Sequence, residues 1–319
     1  THSPLPRTAY CETNKKCVSV GRGGAARVAF VSQQCTSSTH KQHCNTGPKK
    51  NTSGACIGVV TDMYFHFISG NKKKVAKMSS RRVTYFFDVI SPYSALSWQV
   101  LRRYRSRWQR SSNVSFELCP VFLGGVMKGS GNQPPALVAA KGSWLIGDLE
   151  RNSALYDYPI LQSPGNFFSE VARSIINVQR TLVAAQLGGA DDAQVDALVT
   201  AFTDAVHADP TKRSADNDLV AIDAGFIADC CARSSFDATA TAALVEAARS
   251  PEAKEKLKSN TEMALDAGAF GSPSFLIHGT PEDPEPFLIF GSDRFEQMCH
   301  VLDLEWDGVA PDRAPRSKM

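Results

Sequence analysis

Ser91-Pro92-Tyr93-Ser94 is the point in this chain where residue types and spacing first suggest chemistry. It follows a short apolar, β-branched run, and Ser-Pro is a helix start: the serine oxygen can accept an orphan backbone N–H, and proline at the first helical position loses no hydrogen bond. A helix N-terminus carries partial positive charge and stabilises a thiolate placed there. With Cys-x-x-Cys in such a turn the reaction would be dithiol exchange, but no Cys-x-x-Cys occurs anywhere in the sequence. What remains is a hydroxyl able to donate to a thiolate that a ligand brings. Other candidates carry less. Cys35, His40, His43 and Cys44 are zinc-ligand types, yet the paired spacings of zinc sites are missing. Cys230-Cys231 have no basic neighbour closer than Arg233 and read as structural thiols. His207 and His278 are isolated and read as structural or surface residues. No phosphate-cradling glycine loop follows a strand and no Ser/His/Asp set can be assembled, so no metal is expected and no nucleotide site is indicated.

The elements that must position this turn can be read from periodicity. Val83 to Val89 is a buried strand ending near Ile90. A helix follows, with Tyr93, Leu96, Val100, Leu101, Tyr104 and Trp108 at helical spacing and Arg102, Arg103, Arg107 and Arg110 on the other side. That arginine run reads as a solvated helix face rather than a nucleic-acid patch, because its aromatics belong to the buried stripe. Val114, Phe116 and Leu118 alternate with polar residues, which makes a second strand parallel to the first. Leu123 to Trp144 is rich in Gly and Pro and reads as a long ordered loop. From about 168 to 265 the period is helical, with about four helices. Ser274–Ile277 and Phe287–Phe290 are strands joined by a turn through Pro281, Pro284 and Pro286, and a last helix is expected to start at Ser292-Asp293. The order is βαβ, helices, ββα: an α/β fold with a thioredoxin-like sheet and an inserted all-helical subdomain at about residues 150–266.

Composition divides the chain. Of 319 residues, 43% are hydrophobic and 21% charged, and the net charge is +3. Residues 1–77 hold 12 Lys and Arg against two acids, and five of the nine cysteines. They lack sustained apolar periodicity and are expected to be a disordered extension or absent from the mature protein, with the domain running over 78–310 and a tail over 311–319. Four scattered cysteines in the remainder fit free thiols in a reducing compartment. No apolar run is long enough for a transmembrane helix.

Four segments in order carry a resemblance: Phe86-Phe87-Asp88-Val89-Ile90-Ser91-Pro92-Tyr93-Ser94; Gly125-Val126-Met127-Lys128-Gly129-Ser130-Gly131-Asn132-Gln133-Pro134-Pro135; Gly268-Ala269-Phe270-Gly271-Ser272-Pro273; and Phe290-Gly291-Ser292-Asp293-Arg294. Over residues 81 to about 310 the chain resembles the kappa-class glutathione transferases, DsbA-like members of the thioredoxin superfamily. The resemblance implies a homodimer that conjugates glutathione, its co-substrate, to electrophilic small molecules, with peroxidase activity as a possible accompaniment. It implies that Ser91 hydrogen-bonds the glutathione sulfur, that Pro92 and Tyr93 line the same turn, and that Asn132 holds the peptide. Ser272, before a cis Pro273, would pair its backbone with the cysteinyl part; family members can carry an aliphatic residue there. Ser292 and Asp293 would bind the γ-glutamyl end, and a helix start with a carboxylate beside it suits a ligand bearing both charges. The related 2-hydroxychromene-2-carboxylate isomerases share the fold and the serine turn and supply the alternative reading; a non-catalytic glutathione carrier is another. The terminal Ser317-Lys318-Met319 resembles a peroxisomal address, which implies an import receptor as partner and a peroxisomal location, with the mitochondrion as the alternative.

Overall fold

The computed structural model describes residues 81–214, 219–279 and 284–312. The expectations for the leader, for Pro281 and for the Ser-Lys-Met end lie outside these residues. The elements run β1 (Arg81–Phe87), α1 (Pro92–Ser111), β2 (Val114–Pro120), α2 (Leu123–Ser130), α3 (Ala139–Tyr156), α4 (Ala172–Leu187), α5 (Asp192–His207), α6 (Ala224–Arg233), α7 (Ala238–Ala247), α8 (Pro251–Asp266), β3 (Ser274–Ile277), β4 (Phe287–Phe290) and α9 (Phe295–Leu302). This is the expected thioredoxin-like arrangement. The sheet order is β2-β1-β3-β4, with β1 parallel to β2 and antiparallel to β3, and β3 antiparallel to β4.

Alternation along the strands divides the core. Val83, Tyr85 and Phe87 of β1 share a face with Phe116, Leu118, Phe275 and Ile289, and Tyr85 stacks on Phe87 and Phe275 at centroid distances of 4.9 and 5.0 Å. That face packs against the buried stripe of α1 and the helical block. Phe86 and Cys119 point the other way, into a smaller cluster with Val126 of α2 and Ala264 of α8. Three arginines of α1 are engaged within the protein, while Arg102 and Arg110 are exposed. Arg105 is buried and paired with Asp196, Arg107 bonds Glu305 and Asp307, and Arg103 donates to the carbonyls of Tyr156 and Val309.

Three sequence expectations are corrected. Leu123 to Trp144 is not a loop: it contains α2 and the first turns of α3, separated by a 3-10 turn at Pro135–Leu137. Helices therefore fill the crossover from Leu123 onward, and five rather than four, α4 to α8, follow residue 168. The last helix starts at Phe295, capped by Arg294 without a side-chain bond, so Ser292 and Asp293 lie in the turn before it. No described helix is long and apolar enough to cross a membrane.

Candidate active site

β1 ends at Phe87, earlier than its apolar run, because Asp88 turns the chain. The Asp88 carboxylate accepts the Ile90 N–H at 3.0 Å and its carbonyl accepts the Ser91 N–H at 3.1 Å. Ser91 then caps α1 from an extended conformation, its Oγ accepting the Ser94 N–H at 3.3 Å, with Pro92 as the first helical residue. The first turn of α1 has no acidic side chain, so the positive helix end is left for a ligand's charge.

The segment entering β3 closes over this turn. Ser272 precedes a cis Pro273. Its carbonyl accepts the Ser91 hydroxyl at 2.9 Å, its own Oγ accepts the Asp88 N–H at 2.9 Å, and that Oγ lies 2.7 Å from Ser94 Oγ. Ser91, Ser94, Ser272 and Asp88 are all buried. The Ser272 side chain thus builds a hydroxyl cluster with Ser94 that links the strand entry to the turn before α1.

The remaining expected residues reach the same place through short chains of contacts. Gly131, at φ +74°, lets the chain leave α2 sharply, a conformation for which glycine carries no Cβ penalty. Asn132 follows, and its Nδ2 donates to the Phe270 carbonyl at 2.7 Å while its Oδ1 accepts the Gln133 N–H. Asn132 thus ties the end of α2 to the strand entry two residues before Ser272. Tyr93 donates to Asp148 on α3 at 2.7 Å. Burial, and then the bond to Asp148, push the Tyr93 phenol upward, so it stays a protonated donor aimed at a carboxylate. The middle of α3 supplies Asp148 and its last residue is Tyr156, whose hydroxyl donates to the Ser292 carbonyl at 2.7 Å. Pro273 accepts the Gly291 N–H at 3.0 Å, which fixes the turn carrying Ser292 and Asp293 beside the strand entry. Ser292 is buried; Asp293 is exposed and pairs with Arg294 at 2.5 Å. Since α9 begins beyond both, the N–H groups near Asp293 belong to a turn rather than to a helix start.

These contacts link Ser91, Pro92, Tyr93, Asn132, Ser272, Pro273, Ser292 and Asp293 around the turn before α1. Sequence reasoning missed the groups that hold them: Asp88, Ser94, Asp148, Tyr156 and the side chain of Ser272. Asp88 carried a signal, as a lone carboxylate inside the apolar run Phe86 to Ile90. Burial raises it to about 7, against the lowering effect of its bonds from the Ile90 and Leu123 N–H groups. Asp148 and Tyr156 carried none. His207 and the described cysteines are structural: His207 is buried and bonds the Val89 carbonyl at 2.6 Å, and because that carbonyl is an acceptor the proton is on Nε2. Burial pushes the Cys230 thiol up to about 12 and Cys231 to about 11. A cleft of about 480 Å³ beside β2, lined by Cys119 and Asn260, contains none of the expected site residues. Burial also pushes the Cys119 thiol up, to about 12.

Comparison with known proteins places this geometry in a family. Residues 82–303 match the model of the DSBA-like thioredoxin domain. Glutathione S-transferase kappa 1 of Rattus norvegicus is 31% identical over 227 residues, 71% of this chain and 92% of that protein. Its namesake from Homo sapiens is 30% identical over 232 residues, 72% of this chain and 95% of the other. Among solved structures, a 2-hydroxychromene-2-carboxylate isomerase matches at 20% identity with a TM-score of 0.51, over 70% of this chain and 94% of that one, a likeness of fold. On these matches, the chain belongs to the glutathione S-transferase kappa family, on a DsbA-like thioredoxin fold.

Proposed function

We propose that the protein is an enzyme, a glutathione transferase, which holds glutathione as a thiolate at the Ser91 turn and conjugates it to electrophilic small molecules. The observation that carries this is a buried hydroxyl, with no sulfur beside it, at the uncompensated positive end of α1 in a chain of this family. Tyr93, Asn132, Ser272, Pro273, Ser292 and Asp293 bind the rest of the tripeptide. The carboxylate of Asp293 suits the ammonium of the γ-glutamyl end.

Magnitudes set how the work is divided. A thiol of pKa about 8.5 is only a few per cent ionised at neutral pH; lowering it by about two units raises the thiolate fraction about 25-fold. Nucleophilicity falls with pKa at a slope of about 0.4–0.5, which returns roughly eightfold, so ionisation alone yields only a few-fold. Holding the sulfur against a bound electrophile supplies the larger share. The test is to follow thiolate absorbance while titrating glutathione bound to the wild-type protein and to Ser91→Ala. A thiol pKa well below that of free glutathione, restored in the variant, is the expected result. Binding with an unshifted thiol would make the protein a carrier.

The same reading includes a homodimer. Its support is the exposed apolar side chains that α3 and the turn before it carry, Leu137, Val138, Trp144, Ile146 and Leu155. Exposed apolar groups concentrated on one element suit an interaction surface.

A further inference from the structure

The Ser91 hydroxyl has one proton, and in this structure it is committed to the Ser272 carbonyl at 2.9 Å. The other side of the same oxygen accepts the Ser94 N–H. The carbonyl is not free to swing away from its donor, because the Ser272 side chain is tied to the Asp88 N–H and to Ser94 Oγ. All four residues are buried. A hydroxyl whose proton rests on a carbonyl has none to give to sulfur. Under the transferase reading, on which this inference rests, the proton must turn from the carbonyl to the thiolate. That leaves a buried acceptor unpaired unless something replaces the hydroxyl.

A cysteinyl residue carries the replacement. Bond lengths and staggered rotamers hold its backbone nitrogen about 3–4 Å from its sulfur. A sulfur within hydrogen-bond reach of Ser91 Oγ can therefore place that N–H on the carbonyl 2.9 Å from the same oxygen. We infer that thiol activation depends on a peptide amide: the N–H beside the ligand's thiol takes over the Ser272 carbonyl, and the Ser91 hydroxyl so released donates to the sulfur. Ser91 keeps its proton throughout. The only bond that breaks is the thiol S–H, and its proton passes to water. Ser272 is the positioning residue, its side chain fixing the carbonyl that Ser91 leaves. An alkanethiol without a neighbouring amide does not release the hydroxyl and remains a thiol, so the exchange selects the peptide thiol by chemistry rather than by size.

Two measurements on the full chain test this. The first compares wild type with Ser91→Ala for binding of γ-glutamyl-alanyl-glycine, which has the amide but no thiol. In wild type the amide must displace a hydroxyl that has no thiolate to turn to. In the variant the carbonyl is free, so the variant is expected to bind this peptide about fivefold more tightly, from the usual net strength of one hydrogen bond. Glutathione itself, above about pH 8 where free thiols begin to ionise, is expected to bind wild type more tightly. A lost helix cap or a loosened site would weaken both ligands together. Equal binding of the thiol-free peptide to the two proteins would mean that the carbonyl accepts both donors at once, and would overturn the exchange.

The second measurement uses wild type alone, so it stands even if Ser91→Ala does not fold. Its probe is the glutathione analogue in which an ester oxygen replaces the amide N–H before the cysteinyl residue. This analogue is expected to bind within about tenfold of glutathione, the cost of one hydrogen bond, and to titrate when bound as it does free. A thiol activated as fully as that of glutathione, or no binding at millimolar concentration, would refute the proposal. If glutathione itself fails to bind, or binds without a lowered thiol pKa, the transferase reading fails instead.

Discussion

Tyr93 stands two residues after Ser91, close enough to be taken for a second donor to sulfur, yet its hydroxyl is turned away from that task. It donates to Asp148, which also accepts from Asn152 Nδ2 at 3.0 Å and lies 3.7 Å from Arg151. The pair works as a brace between α1 and α3. Tyr93→Phe is accordingly expected to raise KM for glutathione only a few-fold while leaving kcat near wild type, and Asp148→Ala to do the same. Because each change removes the same bond, the double variant should lose no more than either single one, which a double-mutant cycle on kcat/KM reads directly. A strictly additive loss would mean that the two residues act separately. Ser91 contrasts with this. Ser91→Ala removes a cap worth about 1 kcal/mol of stability and also removes the thiolate's donor. Conjugation should therefore fall much more at about pH 6.5 than at about pH 9, where free thiols are already ionised. An equal loss at both would reduce Ser91 to a cap.

Between β4 and α9 the site depends on one turn, and the turn depends on Gly291. Its φ of +104° is one that L side chains rarely adopt, and a Cβ there would stand 2.6 Å from Asp293 Oδ1. Gly291→Ala should displace the Asp293 carboxylate and raise KM for glutathione at least several-fold, with little change in the thiol pKa of what does bind. An unchanged KM would remove Asp293 from the site. At this scale the sequence was legible wherever periodicity or a cap carried the information. The four strands, the Ser-Pro start of α1 and the return to strands after the helical block all follow from alternation, turn residues and capping. What hid α2 was its own composition. Gly124, Gly125 and Gly129 argue against a helix by propensity, but Gly125 and Gly129 are where α2 meets α8: added Cβ atoms would come within 3.1 Å of Thr261 Cγ2 and 2.5 Å of Leu265 Cδ1. Close packing selected the residues that propensity penalises. The start of α9 was misplaced for the opposite reason, since Ser-Asp is a good cap on paper and here serves a turn. The candidate site residues stand out because they cluster in the motifs that carry the resemblance, whereas Asp148 and Tyr156 act from a helix whose spacing gave no hint of what it faces.

For the whole molecule, the exposed apolar side chains of α3 make oligomeric state the first expectation. A stable interface buries on the order of 800 Å² per partner with apolar anchors at its centre, so Trp144→Glu should shift the protein from dimer to monomer in sedimentation. A wild type that sediments as a monomer would dispose of the dimer. A second whole-molecule property is written into the turn after β1, where two buried titratable groups oppose each other. Burial raises Asp88 to about 7 and lowers His207, on the Val89 carbonyl, to about 4. For Asp88 the folded state keeps a proton that the unfolded chain releases near pH 3.9, so its contribution to stability declines as pH rises from about 4 to 7. For His207 the unfolded chain takes up a proton below about 6.5 that the folded state refuses, so its contribution declines as pH falls from about 6.5 to 4. Over that shared window the two slopes cancel in part, each being at most one proton, about 1.4 kcal/mol per pH unit. His207→Gln should therefore make stability fall more steeply as pH rises through the window, and Asp88→Asn should tilt it the other way, both relative to wild type. Because the comparison is between slopes, it holds even though Asp88→Asn sets an amide nitrogen against one of two backbone N–H donors and lowers stability at every pH. Denaturation midpoints measured at a series of pH values decide it, and slopes unchanged by either substitution would mean that neither group holds the protonation state its burial requires.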